Sequence, residues 1–187
     1  MQYSEAVKNS KKERKTLILS TSITRDIEEE RFNERYSDGN VEFLRLRGSK
    51  VKKIKEDARK NIQHGYFDSA VVHIGGNDLQ DLYYPESFDK LANDVKETGL
   101  ICRERGADTV FIAGVTVRKW EYTWERCRLL NGKLKEMCRR NNFVYIDNSN
   151  INYVDHLSDE VHLNSEGSKI LANNYLGYMY KVFASQR

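Results

Sequence analysis

Thr16-Leu17-Ile18-Leu19-Ser20-Thr21-Ser22-Ile23 (TLILSTSI) is the first apolar, β-branched stretch of the chain. Its apolar residues are consecutive rather than alternating, as expected of a strand covered on both faces. Four more short runs of this kind follow: Val41–Leu46 (VEFLRL), Ser69–Ile74 (SAVVHI), Asp108–Val115 (DTVFIAGV) and Phe143–Ile146 (FVYI). Between them the apolar spacing changes to that of amphipathic helices. Val51, Ile54, Ala58 and Ile62 form one stripe, Phe88, Leu91, Val95 and Cys102 another, and Trp124, Cys127, Leu130, Leu134 and Met137 a third. A segment RDIEEERF after the first strand reads as a further helix, and a last one runs from Ser165 to about Phe183 with Asn164 as its cap. Pro85, the only proline, sits where a loop enters a helix. Strand and helix alternate throughout, which predicts an α/β protein: a three-layer α/β/α sandwich around a five-stranded, mainly parallel sheet.

The 187 residues suit one domain, over residues 16–187, and 39% hydrophobic content is enough for a core. Residues 1–15, rich in lysine (KNSKKERK), read as a flexible arm or the end of a linker. A net charge of +3 does not give the field of a dedicated nucleic-acid binder. The stretch Arg45, Arg47, Lys50, Lys52, Lys53, Lys55, Arg59 and Lys60 is basic locally, but Glu56 and Asp57 interrupt it, which favours a solvated helix face over a phosphate-binding patch. Cys102, Cys127 and Cys138 are odd in number and lack a C-x-x-C pair, so they read as reduced, buried thiols. No apolar run is long enough to span a bilayer and the first fifteen residues lack a signal segment, so the expected location is intracellular and cytoplasmic.

In a parallel sheet of this kind ligands bind at the carboxyl ends of the strands. Four segments fall there. Ser20-Thr21-Ser22 closes the first strand, where Ser22 reads either as a helix cap or as a hydroxyl set among backbone N–H groups. Gly48 follows the second strand. Gly75-Gly76-Asn77-Asp78 follows the third, with glycines that allow close backbone approach and an Asn77 amide able to donate to an oxyanion. Asp159-Glu160-Val161-His162 precedes the last helix, and its D-x-x-H spacing can bring the carboxylate to the imidazole Nδ1. His73, inside an apolar strand, reads as a core histidine. No H-x-x-x-H or Cys/His cluster points to a metal. Tyr83, Tyr84, Trp120, Tyr122 and Trp124 lie in or beside two long loops, where they suit an acyl pocket, a membrane surface or ordinary packing, Trp124 fitting the helical core stripe.

Taken together and in order, LSTSITRDI, Gly48, GGND and DEVHLNSEG resemble the motif blocks of the SGNH (GDSL-like) hydrolase family. The resemblance runs from about Thr16 to Phe183. It implies the flavodoxin-like fold of that family and a carboxylic ester hydrolase with Ser22 as nucleophile, His162 as general base and Asp159 as orienting acid. Ser22, Gly48 and Asn77 would form the oxyanion hole, and no metal or organic cofactor is implied. The departure from the family pattern is Ser20-Thr21 where Gly-Asp usually precedes the serine. Ser20 is thereby a rival nucleophile, set aside because it aligns with the family's glycine. More narrowly, SITRDI, WERCRLLN and HLN-x-x-GSKILANNYL resemble the esterase domains of first-open-reading-frame proteins of LINE retrotransposons. That implies acetyl or other short acyl-ester substrates, lipids among them, and an RNA-binding setting supplied by neighbouring regions. The alternative expectation is an SGNH-like module without catalysis that binds RNA or a protein partner.

Overall fold

The structure, a computed structural model, describes residues 13–37, 39–120 and 122–186. Five strands, β1 (Arg14–Ser20), β2 (Gly39–Arg45), β3 (Ser69–His73), β4 (Thr109–Ala113) and β5 (Val144–Ile146), form one sheet in the order β2-β1-β3-β4-β5. Every neighbouring pair is parallel. This is the doubly wound, flavodoxin-like order, in which β1 is flanked by the strands before and after the switch in winding direction. Most of the arm expected over residues 1–15 lies outside the described residues, and Arg14 and Lys15 already belong to β1.

The consecutive apolar residues of β1 divide between two cores. Leu17 and Leu19 point to one face, with Ala70, Val72, Val110 and Ile112, and are covered by α2 (Val51–Asn61), α3 (Pro85–Glu104) and α4 (Tyr122–Asn141). Ile18 points to the other, with Val71, Phe111 and Ile146, under α1 (Glu29–Arg35) and α6 (Ser165–Ala184). The period of two along a strand produces this division, and helices on both faces produce three layers. Two of the boundaries that differ from the sequence reading lie on either side of Ser22. β1 ends at Ser20 rather than Ile23, and the helix expected to open at Arg25 begins at Glu29, because a 3-10 turn at Ser22–Thr24 intervenes.

The three cysteines are free and buried. Desolvation pushes the Cys102, Cys127 and Cys138 thiols up to about 12, so they serve as small core residues. Trp124 departs from its expected place in the core stripe. It is 37% exposed, stacks on Tyr153 with ring centroids 4.7 Å apart, and donates from Nε1 to the Arg118 carbonyl at 2.8 Å. The helical stripe ran one residue too far toward the amino end of α4, where Trp124 meets the short helix α5 (Tyr153–His156) instead of the core.

At the start of α6, Asn164 Oδ1 accepts from Gly167 N at 2.9 Å while its Nδ2 donates to the Asp155 carbonyl at 2.7 Å. Asn164→Ala removes both, and a loss of about 1–2 kcal/mol in unfolding free energy is expected from urea denaturation.

Candidate active site

The carboxyl edge of the sheet gathers the segments that carry polar side chains. The chain leaves β1 at Ser20, which is fully buried and shares a 2.6 Å hydrogen bond between its Oγ and Thr24 Oγ1. Ser20 is thus committed to the turn and offers no hydroxyl to a substrate. The next residues form the 3-10 turn, with Thr21 at its cap position making no side-chain capping bond. Ser22 is the first residue of the turn, not its cap, which removes the capping explanation for its presence. Among the described residues the Ser22 hydroxyl has no hydrogen-bond partner. Arg45, at the end of β2, braces the turn: Nε donates to the Thr24 carbonyl at 3.2 Å and Nη2 to the Ile27 carbonyl at 2.7 Å.

Gly48 has a φ of 69°, in the left-handed region open to glycine at low cost. It is the third residue of a turn closed by Ser49 N donating to Leu46 O at 3.2 Å. Gly75 also has positive φ, 105°, and lets β3 bend sharply into a 3-10 segment (Gly76–Asp81). At Gly76 a Cβ would stand 3.1 Å from Arg118 Nη2, so glycine here leaves room for the guanidinium. Asn77 Nδ2 donates to the Ser49 carbonyl at 3.0 Å, which draws the Asn77 side chain against the turn containing Gly48. Its Oδ1 accepts from Arg118 Nη2 at 2.9 Å.

Asp159 and His162 occupy the tip of a small loop closed by an antiparallel bridge between Leu157 and Leu163 and by Ser158 N donating to His162 O at 2.8 Å. Asp159 Oδ1 accepts from His162 N at 2.7 Å and from Val161 N at 2.8 Å. Its Oδ2 stands 2.8 Å from His162 Nδ1. One carboxylate therefore orders the turn with one oxygen and orients the imidazole with the other. The backbone N–H groups of His162 and Val161, followed by the imidazole, hold the Asp159 carboxyl well below the usual aspartate range. A depressed carboxyl is charged at every pH above that range, and its hold on the imidazole is lost only as pH falls through the depressed value.

A cavity of about 20 Å³ lies between these segments, lined by Thr21, Ser22, Ile23, His73, Gly76, Val115, Thr116, Arg118 and Val161. Ser22, Gly76 and Val161, the residue before His162, thus share one small space. Among the described residues no hydrogen bond joins Ser22 to His162; the Asp159–His162 half of the arrangement is bonded and the serine stands apart. Catalytic hydrogen bonds of this kind are commonly long in unliganded enzymes. His73 is a core residue, as its strand context predicted: it is buried, its Nδ1 lies 2.5 Å from Tyr175 Oη, and burial lowers its pKa to about 4. Tyr83 and Tyr84 are exposed.

Sequence reasoning missed Arg118, Arg45 and Thr24. Arg118 is one of two adjacent cations in the loop Val117-Arg118-Lys119-Trp120, and no periodicity separates it from its neighbour. Asp78 was also unremarked. Its Oδ2 accepts from Val51 N, the first N–H of α2, at 3.2 Å, and burial raises its pKa to about 6.

No family model matches the sequence, and no curated protein does. Solved structures match over most of their length. A GDSL-like lipase from Bacteroides thetaiotaomicron has a TM-score of 0.73 at 14% identity, over 92% of this chain and 90% of that one. An acetylxylan esterase from Geobacillus stearothermophilus gives 0.71 at 14% identity, over 88% and 93%. A lipase/acylhydrolase from Enterococcus faecalis gives 0.69 at 17% identity, over 88% and 94%. The chain has the fold of the GDSL-type lipases and esterases.

Because the Asp78 carboxyl is raised rather than depressed, its protonated form favours the folded state below pH 4, and that contribution is lost as pH rises through about 6. Asp78→Asn keeps an oxygen for Val51 N without a titrating group. Across pH 4 to about 6, the wild type should lose stability relative to this variant in parallel urea titrations.

Proposed function

We propose that this chain is a serine esterase that hydrolyses short acyl esters, of the acetyl type, with Ser22 as nucleophile, His162 as general base and Asp159 as the acid that orients it. The observation that carries the reading is the 2.8 Å Asp159–His162 pair on the same sheet edge as a serine whose hydroxyl has no hydrogen-bond partner among the described residues. Asp159 accepting from Nδ1–H sets the tautomer that leaves Nε2 unprotonated and able to take the Ser22 proton. Ser22 Oγ then bonds to the ester carbonyl carbon. The oxygen that gains charge is met by Ser22 N–H, Gly48 N–H and the second Asn77 Nδ2 hydrogen. Protonated His162 returns its proton to the departing alcohol, and water, activated by the same imidazole, releases the acid.

Two further observations support a small acyl group and an active site. The cavity beside Ser22, about 20 Å³, is small. Structures of the same fold include an acetylxylan esterase. The basic stretch gives little support to the RNA-binding alternative, since Lys50 pairs with Asp81, Lys53 with Asp57, and Lys55 with Asp94 and Glu97. A place in a retrotransposon protein rests on the sequence resemblance alone and is proposed on that footing.

The test is hydrolysis of p-nitrophenyl acetate together with labelling by a fluorophosphonate. Label should map to Ser22 and vanish in His162→Ala, and Ser22→Ala should abolish turnover. Asn77→Ala should lower kcat about 10²- to 10³-fold while circular dichroism shows the protein still folded. Hydrolysis that persists in Ser22→Ala would overturn the assignment.

A further inference from the structure

Arg118 reaches the site from the loop between β4 and α4, and three bonds at Arg118 and its neighbour Lys119 bear on its role. Its carbonyl accepts from Trp124 Nε1 at 2.8 Å. The next residue, Lys119, donates its N–H to the Glu160 carbonyl at 3.1 Å, inside the loop of Asp159 and His162. Its guanidinium passes over Gly76 and donates to Asn77 Oδ1 at 2.9 Å. The main chain at this point is tied on both sides, which limits how far the side chain can withdraw from Asn77.

A side-chain amide can present either its oxygen or its nitrogen in a given direction, and its neighbours decide which. Both neighbours of Asn77 agree. The Ser49 carbonyl can only accept, so it requires Nδ2, and the Arg118 guanidinium can only donate, so it requires Oδ1. A flipped amide would set oxygen against oxygen on one side and N–H against N–H on the other. The correct orientation places Nδ2 beside the turn of Gly48. Ser49 uses one of its two hydrogens, and among the described residues the second has no partner. A charged donor on Oδ1 also draws electron density from the amide, which strengthens Nδ2–H as a donor.

We propose that Arg118 is a positioning residue for Asn77, fixing and polarising the amide so that its free N–H is set for the oxyanion before substrate arrives. The proposal rests on the role assigned to Asn77 above. It separates Arg118 from a residue that merely binds substrate, because an oxyanion donor acts on charge that appears only in the transition state.

The experiment is a double-mutant cycle on p-nitrophenyl acetate hydrolysis with Arg118→Met, Asn77→Ala and the pair, and Arg118→Lys as the conservative variant. Met retains an apolar stem and loses every donor. Arg118→Met should lower kcat by about 10- to 100-fold with KM held within about twofold. Arg118→Lys should recover part of the loss. In the Asn77→Ala background, Arg118→Met should cost less than about twofold more, since there is no amide left to position. Full kcat in Arg118→Met, or losses that multiply in the pair, would overturn the proposal. Should Arg118→Met fail to fold, as judged by circular dichroism, Arg118→Lys is carried through the same cycle and must show the same non-additivity. Ser22-dependent hydrolysis that ignores Arg118 removes this proposal alone, whereas hydrolysis that survives Ser22→Ala removes the site reading beneath it.

Discussion

Ser20 and Thr24 share a short hydrogen bond in a place that neither exposes to water, and that pair governs how the chain leaves the central strand. β1 is hydrogen-bonded on both sides, to β2 and β3, so its last residue points into packed protein and has no freedom to wander. A buried hydroxyl without a partner would cost about 1–3 kcal/mol, and each of these hydroxyls removes that cost for the other. The bond closes across four residues and draws the chain into a tight 3-10 turn. Ser22 lies inside that turn, lifted off the sheet. Shift the turn by one residue and a different side chain would meet the cavity.

This bears on the point where the sequence departs from the SGNH motif it resembles. Glycine and aspartate before the serine usually supply a tight turn and an ordering acid. Here, Ser20 is small enough for the buried position and uses its hydroxyl to fasten the turn locally. The ordering comes from Arg45, which takes the carbonyls of Thr24 and Ile27 from the neighbouring strand. Donors on a cation replace acceptors on an acid, and the carbonyls are satisfied from outside instead of the N–H groups from within. The turn is built from different parts.

How much of this could be read from the sequence follows from how each residue is recognised. The strands were legible because burial on both faces leaves runs such as LIL and AVV, and three helices because their stripes repeat with the helical period. Asp159 and His162 were legible because three residues of separation suffice for the carboxylate to reach both the imidazole and two backbone N–H groups. Arg118 and Arg45 were not. Each acts on a partner far away in the chain, and nothing local distinguishes a bracing cation from a solvated one. Trp124 was misread for a related reason: a stripe gives the direction of a side chain and not what lies opposite, and at that end of α4 Trp124 meets Tyr153 of the short helix α5.

The all-parallel register also sets an order in time. Parallel neighbours need long crossovers, so the strand ends that meet at the site are widely spaced along the chain. Ser22 is made well before His162, and Tyr175, the partner of His73 beneath the cavity, comes later still. A ribosome-bound chain that has completed β1 to β4 holds Ser22 and the Asn77 segment but not the loop of Asp159 and His162. On the triad proposed above, Ser22 would meet its base only when α6 docks and presents the loop before it.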